Sequence, residues 1–381
     1  MVTEDIRYVG VNDHEIDLFE GQYAVPQGMA YNSYVILDEK IAVMDTVDAR
    51  FGAQWLEKIA AVIGRREPDY LVVQHMEPDH SANIQRFLER YPGATLVGNA
   101  KTFAMLEQFF PQLPEAARLV VKDGEQLCLG AHTLRFLFAP MVHWPEVMVT
   151  YDEKDRVLFS ADGFGKFGAL DVDAPWDDEA RRYYIGIVGK YGVQVQKLLK
   201  AASALDIETI CPLHGPVLRE NLGHYLEKYD LWSSYRPEER GVLIAYASIY
   251  GHTRDAAVQL RDELEQLGQK TVLADLARAD MAACVADAFR YDRLVLASVT
   301  YNGDVFPCMR AFLHALTERN YQGRTVAFIE NGTWAPASGR IMAAALEKCK
   351  NLTLKDKVTL KSALNAASQT ALHRLAQELA E

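Results

Sequence analysis

The sequence predicts two α/β domains: a layered sandwich that mixes strand pairs with helices, followed by a doubly wound parallel sheet. Three observations carry this. The chain has 381 residues, more than one ordinary compact domain holds. Its first half pairs neighbouring strands between helices, while its second half alternates strand and helix. Between the halves, Ser233-Ser234-Tyr235-Arg236-Pro237-Glu238-Glu239-Arg240 is polar, contains a proline and has no apolar period, so it reads as a linker. The boundary falls between residues 238 and 239.

In the first half, Tyr34–Asp38 and Ile41–Asp45 form a predicted hairpin turning at Glu39-Lys40. Trp55–Ile63 has helical periodicity, and Tyr70–Val73 is an apolar strand running into a polar cluster. Helices follow near Asn83–Tyr91 and Lys101–Phe110, then strands Thr133–Phe138, Val147–Tyr151 and Val157–Ser160. One long helix is expected over Asp178–Leu199, then a short strand into Cys211-Pro212-Leu213-His214. In the second half, β-rich runs at Val242–Ala247, Thr271–Ala274, Arg293–Ser298, Thr325–Glu330 and Lys357–Lys361 alternate with helical patterns. Those helices are expected at Arg254–Leu267, Val305–Thr317, Gly339–Cys349 and Gln369–Leu379.

Composition narrows the function. A net charge of −12 disfavours nucleic acid and anionic membrane as partners. Cys128, Cys211, Cys284, Cys308 and Cys349 are odd in number and form no C-x-x-C pair, which suggests free thiols in a reducing compartment. The first residues carry no basic patch followed by an apolar run, so a cytoplasmic location is expected.

The chemistry concentrates at strand ends. His75-Met76-Glu77-Pro78-Asp79-His80 follows a buried strand and packs four potential metal ligands into six residues. Such a cluster needs a cation to offset repulsion between its acceptors. His143, Asp162 and His214 each occupy a later strand-to-loop transition. Taken singly, each has a structural alternative: Asp162 before Gly163 can initiate a turn, and either histidine can be a hydrogen-bonded core residue.

The ordered set resembles the metallo-β-lactamase superfamily, which implies an αββα sandwich over residues 1–238 with two metals among its loops. Hydrolases of that superfamily usually carry His where this chain has Glu77. A carboxylate there makes the site harder and more anionic, which suits iron better than zinc. With this departure the chain resembles the flavodiiron proteins. Their pattern implies His75, Glu77 and His143 on one iron and Asp79, His80 and His214 on the other, with Asp162 bridging. Tyr191 and Trp144 lie in segments able to approach this site; a tyrosine there could donate a proton to bound oxygen, and ordinary aromatic packing is the alternative.

In the second domain, Ser248-Ile249-Tyr250-Gly251-His252-Thr253 follows the first strand and opens a helix, a setting that binds phosphate through backbone N–H groups. It fits the flavodoxin phosphate loop, although His252 replaces the commoner Asn. Thr300-Tyr301-Asn302-Gly303 and Asn331-Gly332-Thr333-Trp334 follow the third and fourth strands, where a flavodoxin-like sheet holds the flavin ring. The absence of a G-x-G-x-x-G loop there favours FMN over a dinucleotide. The resemblance implies a flavodoxin-like domain over residues 239–381, with Tyr301 and Trp334 able to stack on FMN.

Together the two sites imply an oxidoreductase in which FMN feeds a non-haem diiron centre that reduces dioxygen to water, nitric oxide to nitrous oxide, or both. The expected donor is rubredoxin, a rubredoxin reductase or reduced deazaflavin, and the family implies a head-to-tail homodimer or tetramer. The competing expectation is a metallo-hydrolase with an accessory flavodoxin-like domain.

Overall fold

The computed structural model describes residues 2–381 and divides into two compact units, Met1–Tyr184 with Val193–Asp230, and Ile185–Gly192 with Leu231–Glu381.

The first unit contains two facing sheets. One runs in the order Ile6–Tyr8, Tyr34–Ile36, Ala42–Met44, Tyr70–Val72, Thr95–Gly98, Arg118–Val120. The other runs Gln126–Cys128, Thr133–Phe138, Met148–Asp152, Val157–Phe159, Thr209–Cys211. Tyr34, Ile36, Ala42, Met44, Val72 and Val97 from the first sheet share one core cluster with Leu134, Phe136, Met148, Val157 and Phe159 from the second. The intervening Val35, Val43, Leu71 and Leu96 are equally buried, so period-2 alternation turns them to the opposite face of the sheet. Helix Gly52–Ile63 buries Trp55, Ile59 and Ile63. Sheets inside and helices outside make this the expected αββα sandwich.

The expected hairpin pairs Tyr34 with Met44 and Ile36 with Ala42, antiparallel. Thr133–Phe138 forms at the expected limits. Several N-terminal strands, such as Leu18–Phe19 and Tyr23–Ala24, have only two residues, too few for alternation to be visible in the sequence.

The helix expected over Asp178–Leu199 is not continuous. It runs Trp176–Tyr183, widens to a π-helical turn at Tyr184–Val188, tightens to a 3-10 turn at Gly189–Tyr191 and resumes at Gly192–Ala202. Tertiary bonds replace the helical ladder there. Tyr235 Oη donates to Gly189 O at 2.9 Å, and Asn320 Nδ2 donates to Lys190 O at 2.7 Å. Gly192 is required because a Cβ would lie 2.3 Å from Ser233 O. The polar connector is shorter than expected, since helix Leu222–Ser233 takes its first residue and strand Glu239–Ala247 its last two.

The second unit has five parallel strands in the order Thr271–Asp275, Glu239–Ala247, Tyr291–Tyr301, Thr325–Asn331, Thr353–Leu360. Val242, Ile244 and Tyr246 join Leu260 and Leu264 of helix His252–Gln266 and Leu372 and Leu375 of helix Ala366–Ala380 in one core. The alternate Leu243 and Ala245, also buried, face the other layer. This is the doubly wound sheet expected. Helix Met281–Arg290 was not expected; Asp280 caps it by accepting the Ala283 N–H at 2.6 Å. Among the described residues, no helix is long and apolar enough to cross a membrane.

Candidate functional site

Every donor group expected in the first unit lies just past a strand, where the backbone leaves the sheet and side chains from both sheets converge. His75 follows Tyr70–Val72, Asp162 follows Val157–Phe159 and His214 follows Thr209–Cys211. Glu77 immediately precedes the short helix Pro78–Ser81, which carries Asp79 and His80. The loops are held from behind. Thr46 Oγ1 donates to His80 O at 2.8 Å, and the Thr46 N–H donates to the same oxygen. Asp45 and Ala161 take left-handed φ values of 52° and 48° within this framework, conformations that persist in non-glycine residues only where the surroundings enforce them.

The side chains gather into two adjoining groups. In the first, His143 Nε2 lies 3.0 Å from Glu77 Oε2 and 3.0 Å from Asp162 Oδ2, and His75 Nε2 lies 3.2 Å from Glu77 Oε2. In the second, His80 Nε2 and His214 Nε2 are 3.0 Å apart, each 3.3 Å from Asp79 Oδ2. Asp162 joins the two, with Oδ2 toward His75 and His143 and Oδ1 3.3 Å from His80.

These distances fit metal ions. Donors held about 2.1 Å from one ion at right angles stand roughly 3 Å apart. Both oxygens of Asp79 and Oδ1 of Asp162 are buried without a hydrogen-bond partner, which a cation would satisfy. The electrostatics agree. Burial opposes charge on the imidazoles, yet the carboxylates push His75 well up and His143 to about 9. Burial likewise opposes charge on Glu77 and Asp162, and the histidines hold both well below the usual range. The pocket thus favours anions that need positive charge beside them. A further group, Asp5, His132 and Asp155, already has its own cation: Lys154 pairs with Asp5 and lies 3.2 Å from His132 Nε2.

In the second unit, the three loops expected to bind FMN line one cavity of about 500 Å³, with Gly251 alone outside its lining. Gly251 has φ +97°, a left-handed conformation that lets the chain turn into helix His252–Gln266. Ser248 Oγ accepts the Gly251 N–H at 3.2 Å and fixes this turn. Tyr250 and Trp334 stand 90% and 91% exposed beside the cavity, their rings available for contact.

Comparison with known proteins gives these shapes a lineage. The family model described as ODP family beta lactamase matches residues 29–215, and the flavodoxin model matches residues 244–345. The rubredoxin oxygen:oxidoreductase of Desulfovibrio gigas superposes with a TM-score of 0.93 at 26% identity, covering 100% of this chain and 97% of that one. The flavodiiron protein of Giardia intestinalis superposes at 0.92 with 27% identity, covering 99% and 95%. The chain belongs to the flavodiiron protein family. A nitric oxide reductase of Moorella thermoacetica is 29% identical over 360 residues, 92% of this chain and 90% of the relative. A diflavin flavoprotein of Synechocystis is 32% identical over 290 residues, 73% of this chain and 50% of the relative; the chain spans about half the length of such diflavin relatives.

Within this flavodiiron chain several residues emerge that the sequence reading missed. Glu146, fully buried, accepts from His75 Nδ1 and from the Met76 N–H, both at 2.8 Å. Its signal was the Glu that ends His143-Trp144-Pro145-Glu146, passed over because it is not itself a donor in either group. Tyr183 is fully buried with its ring 5.5 Å from that of His214. Burial, then the charges of Asp162, Glu77 and Asp79, push its hydroxyl well above the usual value. Tyr191, the tyrosine singled out from the sequence, belongs instead to the segment Ile185–Gly192 of the second unit. Helical periodicity could not choose between them, because the helix carrying both is broken. Trp144 packs edge-on to His75 at 5.3 Å. Glu20 stands at the rim; its side chain reaches solvent, yet enough protein surrounds the carboxyl that burial, with the charge of Glu77, pushes it up to about 7.

Around the flavodiiron chain's cavity, two expected flavin contacts turn out to have scaffold partners. Thr300 Oγ1 accepts the N–H groups of Ala337 at 2.9 Å and Ser338 at 3.2 Å, at the start of helix Ser338–Ala345. Asn331 Nδ2 donates to Thr253 Oγ1 and Ser362 O, while its Oδ1 accepts the Ser362 N–H at 3.0 Å. Ser362, unnoticed in the sequence, ties the fifth strand's end into the same lining.

Proposed function

We propose that this oxidoreductase, with FMN in its flavodoxin-like domain and a non-haem diiron centre in its metallo-β-lactamase-like domain, reduces dioxygen to water, nitric oxide to nitrous oxide, or both. The observation that carries the reading is the pair of donor groups joined by Asp162, in which both Asp79 oxygens and Asp162 Oδ1 are buried without a hydrogen-bond partner. His75, Glu77 and His143 would hold one iron and Asp79, His80 and His214 the other, with Asp162 between them. The assignment follows domains 1–238 and 239–381.

When bound, the iron pair supplies redox chemistry for a diatomic gas, and FMN supplies electrons that it can pass on singly. The protein's own residues prepare that chemistry. Asp162 spans both groups and keeps them in register. Glu77 makes the first group more anionic than an imidazole would, favouring iron over zinc. Tyr183 lies against His214 and keeps its proton at Oη near the carboxylates, where it would donate as oxygen is reduced. Ser248 through Thr253 would cradle the FMN phosphate, while Tyr301 and Trp334 would flank the ring.

The proposed donor is rubredoxin, a rubredoxin reductase or reduced deazaflavin, and the proposed assembly is a head-to-tail homodimer, or a tetramer built from it, in the cytoplasm. Nothing in the donor set favours a zinc hydrolase. Metal analysis should give two irons per chain; two zincs would reject the reading. Steady-state consumption of O2 and of NO, under a donor that reduces the flavin, then identifies the gas. Consumption of neither gas faster than by free flavin would reject the function.

A further inference from the structure

An imidazole that binds a metal through Nε2 keeps a proton on Nδ1. The acceptor of that proton fixes the ring and tunes its strength as a ligand, more so when the acceptor is anionic. The two donor groups have matched inner sets, each with two histidines and one carboxylate beside the shared Asp162. They differ one layer out. His75 Nδ1 meets the Glu146 carboxylate at 2.8 Å, with both residues fully buried. Glu146 is held in turn, since its backbone oxygen accepts from Asn99 Nδ2 at 2.6 Å, while its Oε2 has no partner to dilute the charge. His214 Nδ1 meets only the neutral carbonyl of Ala30, at 2.7 Å. His80 Nδ1 is buried with no hydrogen-bond partner among the described residues.

We infer that Glu146 is a positioning residue that makes the His75–Glu77–His143 group the tight metal site and leaves the Asp79–His80–His214 group the labile one. The inference rests on the reading that each group holds an ion. Its size follows from the usual effect of losing an outer-layer partner, about 10–100-fold in metal affinity. His80 adds to the difference, because its ring is held by packing alone, with no acceptor at Nδ1 to fix its orientation.

The test uses the full chain loaded with Zn(II), which carries no redox chemistry, and follows release to excess chelator. Wild type is expected to release two ions in two phases. Glu146→Gln keeps an acceptor oxygen for His75 but removes the charge, and should speed the slow phase about 10–100-fold while leaving the fast phase alone. His80→Ala should speed or abolish the fast phase only. Crystals grown with one equivalent of Zn(II) per chain need no variant, and anomalous density should appear between His75 and His143. Density between His80 and His214 instead, or a Glu146→Gln protein that releases both ions as wild type does, overturns the inference. A wild-type chain that binds fewer than two ions rejects the two-ion reading itself, a separate failure.

Discussion

Asp45 Oδ1 accepts the backbone N–H of Gln74 at 2.8 Å while Oδ2 accepts the Gln74 side-chain amide at 2.9 Å. Both residues are buried, and Gln74 immediately precedes the first metal-binding candidate, His75. The position of His75 is therefore set partly from the end of the neighbouring strand. Asp45→Ala would strand three donors, the third being the His75 N–H at 3.3 Å from Oδ1, each costing about 1–3 kcal/mol when buried and unpaired. The expected outcome is a lower unfolding temperature together with reduced metal content, measured by calorimetry and elemental analysis on the same sample. Full metal content in a destabilised variant would separate the two roles and contradict this account.

Glu77 has its Oε2 3.2 Å from His75 Nε2 and 3.0 Å from His143 Nε2. Replacing it by histidine restores the softer, less anionic donor set. Glu77→His should shift the metal recovered from iron toward zinc when both are supplied in equal amounts. An unchanged iron-to-zinc ratio would show that Glu77 does not set the preference.

Metal uptake should depend on pH. Burial opposes a charged His143, but Asp162 and Glu77 outweigh it and push the ring up to about 9. An ion binds the neutral ring, so it must displace that proton. Affinity for a divalent metal should therefore rise with pH through the neutral range and up to about 9, with protons released on binding. Titration calorimetry in buffers of different ionisation heat reads both quantities. Affinity that is flat over this range would be inconsistent with a protonated His143.

The flavin cavity separates contact from scaffold. Trp334 is 91% exposed beside it, so Trp334→Ala should remove stacking worth about 0.5–1.5 kcal/mol and weaken FMN binding without changing thermal stability of the apoprotein. Thr300 accepts from two helix-end N–H groups. Thr300→Val should cost about 0.5–2 kcal/mol of stability through the lost cap. Fluorescence titration with FMN and thermal unfolding of both variants would reveal a reversed pattern if the roles were exchanged.

Tyr183 lies against His214, whereas Tyr191 belongs to the second unit. Tyr183→Phe should lower gas turnover on the order of 100-fold with metal content intact, and Tyr191→Phe should leave it near wild type. The opposite order would return the proton-donating role to Tyr191.

Much of this protein is written locally. The alternation of Tyr34, Ile36, Ala42 and Met44 announces a hairpin with one face in the core, and the structure pairs those strands in the expected register. The strand-then-helix rhythm after Glu239 likewise gives the parallel sheet. The clusters ending at His80, His143, Asp162 and His214 were visible because strand ends are where an α/β sheet exposes chemistry. Period and punctuation act over a few residues, so a sequence displays them directly.

Tertiary structure decided the rest, for a reason of distance along the chain. Glu146 supports His75 from 71 residues away, and no spacing rule relates the two. The break after Tyr183 was hidden because hydrogen bonds from Tyr235 and Asn320 replace the local ladder. Thr300 lines the cavity as expected, but that its hydroxyl also accepts the N–H of Ala337 could not be read from its loop. Donor identity was local; which donors have support, and which hydroxyls are already engaged, follows from surfaces that meet only when the chain folds.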